Sequence, residues 1–211
     1  MDESSTRGMS PHRVQALADG VFAIAMTVLV LGIQVPEGGG AADLRARLWA
    51  LGPRLASYVL SFVMLGVLWI GHHYQFHYIR RTDRALLWLN LVFLLAITFL
   101  PFSTGVLGNY FREPLAVVLY GSTVVLAGIC LLLHWIYASH DGRFVPPGLD
   151  SGLVRLLRLR IIVGLALSVI AIGLGAVDTR LSLVVFLAIP VVYFIRSRVD
   201  RHLTDLHPGG S

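Results

Sequence analysis

Six polar or ionisable side chains lie inside long apolar stretches of the sequence. They are Asp19, His72, His73, His77, Asn90 and His134. His73 and His77 are four residues apart, a spacing that puts two imidazoles on one face of a helix, where they can bind a metal ion. Ionisable groups in an apolar setting are costly, so they indicate a buried hydrogen-bond network, a proton relay or a metal site.

The stretches that contain these side chains are long enough to cross a membrane. Of the 211 residues, 56% are hydrophobic and only 14% are charged, which is too few charges to cover the surface of a soluble domain. The apolar blocks are about 20 residues long, the length that spans a bilayer core. Most are apolar on all faces. The sequence therefore predicts an all-α integral membrane protein.

Six apolar segments predict six transmembrane helices in a single domain over residues 1–200, followed by a disordered polar tail over 201–211. Ser10 and Pro11 suit the start of the first helix, and Pro36 with the glycines after it suits its end. A short amphipathic turn is expected around Leu44–Leu51. The predicted helices cover residues 12–35, 54–79, 85–107, 115–140, 153–176 and 180–197.

The positive charges indicate the orientation. All basic residues are arginine, and with the N-terminus inside, 12 lie on the inner side and 5 on the outer side. The inner set is Arg7, Arg13, Arg80, Arg81, Arg84, Arg143, Arg155, Arg158, Arg160, Arg196, Arg198 and Arg201, and the outer set is Arg45, Arg47, Arg54, Arg112 and Arg180. This asymmetry predicts cytoplasmic termini. The lack of an organelle signal and the single six-helix unit predict a multi-pass protein of the plasma membrane. The scattered placement argues against nucleic acid as a partner and fits contact with the lipid bilayer.

The order of the helices brings the polar side chains to one depth. The first helix enters from the cytoplasm, so Asp19 lies about 10 Å along it at 1.5 Å per residue. The second helix returns, and its three histidines come back near the same inner depth. Asn90 and His134 lie near the inner ends of the third and fourth helices. We expect a layer that locks these helices together, with a gating or proton role and a metal site as alternatives.

A regular stripe also runs along the first helix. Leu17, Gly20, Ile24, Thr27 and Leu31 follow one another at spacings of three, four, three and four residues. This spacing places them on one face. Small and hydroxyl residues there would suit close helix packing. The periodicity fits a packing seam and a pore wall equally well.

The segment from Arg13 to Val35 resembles the start of the transmembrane protein 175 family, the lysosomal potassium channels and their bacterial relatives. The family motif is Arg, three residues, Phe-Ser-Asp, a small residue and an apolar run rich in Ile and Leu. Arg13 and Asp19 stand at the matching positions, followed by GVFAIAMTVLVLGI. Leu17-Ala18 replaces the usual Phe-Ser, which removes one hydroxyl from the motif.

The resemblance continues into the second and third helices and covers about half of the chain by motif. The matching residues, in order, are Trp69, His72, His73, Asp83, Asn90, Pro101, Phe102 and Thr104. Each match is short, but their order and spacing together are specific to this family.

The resemblance implies a homotetramer in which the first helix of each subunit surrounds a central pore. The sequence has no TVGYG-like carbonyl filter. Instead, the resemblance implies that Ile24 forms the narrowest ring, with Thr27 and Leu31 as the next layers. An apolar ring controls ion flow by dewetting and by the cost of stripping water from the ion. Arg13 and Asp19 would then brace the helix and not line the pore.

The implied protein is a passive, potassium-preferring cation channel, not an enzyme, with potassium and other monovalent cations as permeant ions and no cofactor or bound metal. The supporting polar network would comprise Arg13, Asp19, His72, His73, His77 and Asn90. Two alternatives stay open from the residues alone. One is a membrane metalloprotein or haem protein that uses the histidines, including His134, and the other is a proton-coupled carrier that works through Asp19 and the histidines.

Overall fold

Seven α-helices form the part of the chain that a computed structural model describes, residues 10–36 and 40–194. No strand occurs in these ranges. A short 3₁₀ turn, His140–Gly142, follows the fifth helix. The helices are α1 Pro11–Leu31, α2 Ala41–Ala50, α3 Gly52–Tyr78, α4 Arg84–Asn109, α5 Pro114–Ser139, α6 Ser151–Gly175 and α7 Thr179–Phe194.

The six predicted helices correspond to α1 and to α3 through α7, and α2 forms where the amphipathic turn was expected. The largest difference is at the end of α1, which was predicted to reach residue 35 but ends at Leu31, with Gly32 as its C-cap. Glycine and the residue before a proline both disfavour helical backbone, which explains the earlier end. Ser10 is the N-cap and Pro11 the first helical residue. The predicted tail and residues 195–197 lie outside the described ranges.

Five of the described helices, α1 and α3 to α6, are long and apolar enough to cross a bilayer. The sixth predicted span corresponds to α7, which runs through 16 residues up to the end of the described range at residue 194. The all-helical membrane fold is thus confirmed, and the count of six full spans stays a prediction.

The bundle is built around α5. This helix packs against α4 and α6, and α3 packs against α4. At one side α1 contacts α3 and α4, while α7 contacts α3 and α6 at the other. Trp135 and Tyr120 of α5 are fully buried in the core, together with Phe22 and Phe93. As a result, α1 is a peripheral helix with neighbours on one side only.

Two glycines let α5 and α6 approach closely. A Cβ atom on Gly128 would lie 2.7 Å from Cδ2 of Leu165, and one on Gly121 would collide with Ile172. The glycines are seven residues apart, as are their two partners, which gives a constant register between antiparallel helices. Because lipid tails are as apolar as leucine, such close packing is the main attraction between helices in a bilayer.

Asp83 connects the start of α4 to the end of α5. Its Oδ1 accepts a hydrogen bond from the backbone N–H of Leu86 (2.9 Å), and its Oδ2 accepts one from the Tyr137 hydroxyl (2.6 Å). The guanidinium of Arg143 lies 4.7 Å from the centre of the Tyr137 ring. Burial alone would raise the pKa of Asp83, but the hydrogen bonds from Tyr137 and Leu86 and the charge of Arg143 together lower it.

Replacing Asp83 with alanine is expected to lower the free energy of unfolding by about 1–2 kcal/mol, because the cap and the Tyr137 bond are both lost. Since the folded-state pKa of Asp83 is lowered, the contribution is present above a pH of about 4 and is lost as the pH falls through the folded pKa. Thermal melting of the detergent-solubilised protein at neutral pH measures the effect. Asp141→Asn is the control, because it removes the charge of an exposed carboxylate that pairs with His140, and asparagine tolerates the positive φ of 51° at this position. Equal melting temperatures for the two variants would contradict the assignment.

Candidate functional site

The first helix has one buried face and one exposed face. The buried face packs into the core, and Phe22 is only 2% exposed. On the exposed face, Leu17 is 48%, Ile24 64% and Leu31 76% exposed, and Gly20 and Thr27 are exposed with them. The buried residues are Val14, Ala18, Phe22, Ala25 and Leu29. The predicted stripe is therefore a face of the single subunit that no other described element covers.

Thr27 contributes the one hydroxyl of this stripe. Its Oγ1 donates to the backbone oxygens of Ala23 (3.0 Å) and Ile24 (2.8 Å). These bonds satisfy the hydroxyl proton within the helix, as is usual for threonine in an apolar helix. The oxygen lone pairs remain available on the exposed side, where they could accept a hydrogen bond or contact a cation.

Arg13 extends the same stripe, since it precedes Leu17 by four residues. It is exposed, and its guanidinium makes no hydrogen bond or ion pair within residues 10–36 and 40–194. The structure therefore shows no contact by which Arg13 would brace α1, and that role stays a prediction. In the first turn, a long arginine side chain can reach water or lipid headgroups.

Two hydrogen bonds join α1 to α3. The indole Nε1 of Trp69 donates to Oδ1 of Asp19 (2.8 Å), and Nε2 of Gln15 donates to Nδ1 of His73 (2.8 Å). Gln15 and Asp19 are four residues apart on α1, and Trp69 and His73 are four apart on α3. One turn of α1 therefore faces one turn of α3, which runs antiparallel to it. These contacts fix the rotation of α1 and direct its exposed stripe away from α3.

Sequence reasoning did not include Gln15 or Trp69 among the site residues. The signal was present, because each stands four residues from a predicted site residue, Asp19 or His73. Two polar residues at that spacing on each of two adjacent antiparallel helices are typical of paired interhelical hydrogen bonds.

A second polar group lies inside the bundle. Nε2 of His72 donates to Oδ1 of Asn90 (3.0 Å), which joins α3 to α4, and both residues are buried. The His72 ring stacks on Phe93, with centroids 5.3 Å apart and planes at 4°. The His72 ring also stacks with Phe76, with centroids 4.4 Å apart and planes at 27°. The His134 ring of α5 lies 6.1 Å from that of His72, and neither of its nitrogens has a hydrogen-bond partner among the described residues.

The predicted polar layer therefore divides into two groups. His72, Asn90 and His134 come together in the core, whereas Asp19 and His73 meet at the α1–α3 contact. The structure does not bring His77 to either group: it is exposed, and its ring contacts Tyr78 at 5.0 Å. Within the described ranges, no three histidine, cysteine or acidic side chains are placed to hold a metal ion together. The metalloprotein alternative therefore has no ligand set there.

These features define a class: a polytopic, all-helical membrane protein whose first helix is rotationally fixed by polar contacts and presents one face outside the subunit. Residues 13–101 match the model of the family described as endosomal/lysosomal potassium channel TMEM175. A potassium channel of Streptomyces collinus is 36% identical over 175 residues, which are 81% of this chain and 85% of that protein. The chain belongs to the TMEM175 family of ion channels, and no catalytic function is indicated.

Two further comparisons bear on the fold and on the human family member. A solved structure, a lysosomal potassium-selective channel TMEM175 homolog from Chamaesiphon minutus, superimposes with a TM-score of 0.78 at 29% identity. The match covers 87% of this chain and 95% of that one. The human endosomal/lysosomal proton channel TMEM175 is 34% identical over 157 residues, which are 68% of this chain but 31% of the human protein. The chain thus spans about a third of its human relative.

Asn90→Ala is expected to lower the free energy of unfolding by about 1–3 kcal/mol, because it leaves the buried His72 Nε2–H without an acceptor. His134→Leu is the matched comparison. It removes a buried imidazole for which the described residues provide no hydrogen-bond partner, so stability should be unchanged or higher. Thermal melting in detergent distinguishes the two. A larger loss for His134→Leu than for Asn90→Ala would show that His134 has a partner of its own.

Proposed function

We propose that this protein is a passive, potassium-preferring cation channel in which four copies surround a central pore lined by α1. The observation that carries the proposal is the uncovered stripe of α1, opposite a face that is buried against α3 and α4. A fourfold arrangement would place that stripe on the symmetry axis. We propose potassium as the permeant ion because the bacterial relatives are named as potassium channels.

Ile24 forms the narrowest ring in this proposal. Four Ile24 side chains meeting at the axis would make an apolar constriction that an ion enters only after losing part of its water shell. Thr27 lies about 4.5 Å further along the helix and Leu31 about 10 Å further, at 1.5 Å per residue. The Thr27 oxygen would ease partial dehydration next to the Ile24 ring. An apolar ring lacks fixed ligands, so selectivity over sodium should be modest, and other monovalent cations should also pass.

The same proposal assigns the orientation and the location. Residues 1–200 form one channel domain in the plasma membrane, with both termini in the cytoplasm and 201–211 as a tail. The excess of arginine on the inner side supports this orientation. The buried His72–Asn90 pair and the α1–α3 hydrogen bonds would hold the pore helix in place, and they require no cofactor.

Ion flux into proteoliposomes tests the function. A potassium gradient should dissipate quickly and a sodium gradient more slowly, without saturation at high ion concentration. Saturable flux that Asp19→Asn abolishes would indicate a carrier instead.

Native mass spectrometry of the purified protein should give the mass of four 23.1 kDa chains. A stable dimer or monomer that still conducts would refute the fourfold pore.

Ile24→Asn is expected to wet the constriction, raise the basal flux and reduce the preference for potassium over sodium, because an amide replaces the apolar barrier. The flux ratio of the two ions in proteoliposomes measures the change. Ile170→Asn is the control, since Ile170 is exposed on α6, away from the stripe. If Ile24→Asn conducts and selects as the parent does, Ile24 is not the constriction.

Ile24→Cys should make the potassium flux sensitive to a small water-soluble thiol reagent, because a pore-lining side chain is accessible from water. Ile170→Cys is the matched control and should be insensitive, since lipid surrounds an exposed side chain outside the pore. The native Cys130 is buried, so the parent protein provides a low background. A potassium flux through Ile24→Cys that is no more sensitive to the reagent than that of the parent protein would place the stripe outside the water-filled path.

A further inference from the structure

A groove lies between α3, α6 and α7, apart from the α1 stripe. Its volume is about 250 Å³, and its wall is almost entirely apolar. Phe62, Val63 and Ile70 of α3 line it and are partly exposed, so the groove is open towards the surrounding membrane. Leu157 and Ile161 form the opposite wall on α6. A groove of this shape and polarity suits a lipid acyl chain.

Several side chains that line the groove carry polar atoms, and the charged one is Arg160; the full set is Tyr74, Gln75, Arg160 and Tyr193. Nη2 of Arg160 donates to the backbone oxygen of Tyr193 (2.9 Å), and the Tyr193 hydroxyl donates to the backbone oxygen of Arg160 (2.8 Å). The guanidinium also lies 5.5 Å from the centre of the Tyr193 ring. These contacts hold the group in place. A guanidinium has five N–H donors, and the described residues take only this one, so the others can bind an anion.

A second polar side chain is Gln75, which is 1% exposed. Its Nε2 donates to the backbone oxygen of Leu131 (2.8 Å), which fixes the amide, while its Oε1 has no donor among the described residues. A buried acceptor without a partner is unfavourable. Because Oε1 is itself enclosed by the protein, Gln75 makes this end of the groove wall polar but does not offer a bond to a ligand.

These polar groups lie towards one end of the bundle. Gln75 is three residues from the end of α3, Arg160 is in the first half of α6, and Tyr193 is in the last described turn of α7. In the proposed orientation this end is cytoplasmic. Arg155 and Arg158, on neighbouring turns of α6, add positive charge there. Basic clefts between transmembrane helices near that surface attract anionic lipid headgroups.

We infer that this groove binds one anionic phospholipid of the cytoplasmic leaflet, with an acyl chain along α3 and the phosphate on Arg160. Phosphatidylglycerol is the probe for such a lipid, because its phosphate carries a negative charge and its glycerol headgroup carries none. The site is separate from the α1 stripe. The inference therefore does not depend on which ion the protein conducts.

Native mass spectrometry of the purified full-length protein tests this site. The protein is incubated with an equimolar mixture of phosphatidylglycerol and phosphatidylcholine, and the lipids retained per subunit are counted. The wild type should retain phosphatidylglycerol preferentially. Arg160→Gln should weaken that retention roughly ten-fold, because a charge-assisted hydrogen bond is lost. Arg155→Gln removes the same charge outside the groove and should have a much smaller effect.

A second variant tests the acyl-chain path without touching the arginine. Ile70→Trp fills the groove and should reduce the retention of phosphatidylglycerol, whereas Ile162→Trp, at an equally exposed position outside the groove, should not. Equal retention of both lipids by the wild type would overturn the inference. So would equal effects of Arg160→Gln and Arg155→Gln, which would mean diffuse attraction only. Tighter retention of a free fatty acid, or a changed oligomeric state in Ile70→Trp without lipid loss, would assign the groove to a different occupant and reject the phospholipid.

Discussion

The rotation of α1 about its own axis depends on two hydrogen bonds to α3, from Trp69 to Asp19 and from Gln15 to His73. Apolar packing alone would hold this helix weakly in rotation, because lipid competes with protein for every apolar face. Lipid tails cannot replace the partner of a carboxylate, because a carboxylate in an apolar setting needs a hydrogen-bond donor from the protein. The position of the Asp19 partner therefore decides which side chains face out of the subunit, and Ile24 is one of them.

The same constraint organises the interior. His72 and Asn90 form a hydrogen bond between α3 and α4. About three helical turns further along the same two helices, Thr104 Oγ1 donates to Ser61 Oγ (2.7 Å). Each pair connects helices whose apolar surfaces could otherwise slide along one another. Between α5 and α6 the glycine contacts supply close packing, beside one hydrogen bond from Trp135 Nε1 to the backbone oxygen of Val154 (3.0 Å). Polar pairs thus specify alignment, while small residues allow the helices to approach.

The two surfaces that carry the proposals differ in chemistry, which is why they suit different ligands. The α1 stripe is apolar with one hydroxyl, Thr27, and suits an ion that sheds its water briefly and moves on. The groove beside α6 combines an apolar wall with the guanidinium of Arg160, which is held by a hydrogen bond, and it suits a ligand that remains bound. Membership of the TMEM175 family is consistent with the first use, and the second follows from the cleft itself.

The sequence alone determined the membrane class, the helix order and most helix boundaries, because these depend on the length and periodicity of apolar runs. It also predicted the 17–20–24–27–31 stripe, since spacing fixes which residues share a helix face. The tertiary structure decided which face is covered and which polar groups meet. It joined His72 to Asn90, left His77 exposed and paired Asp19 with Trp69. Such partners lie on different helices, and the rotation and depth of each helix are set only when all of them pack together.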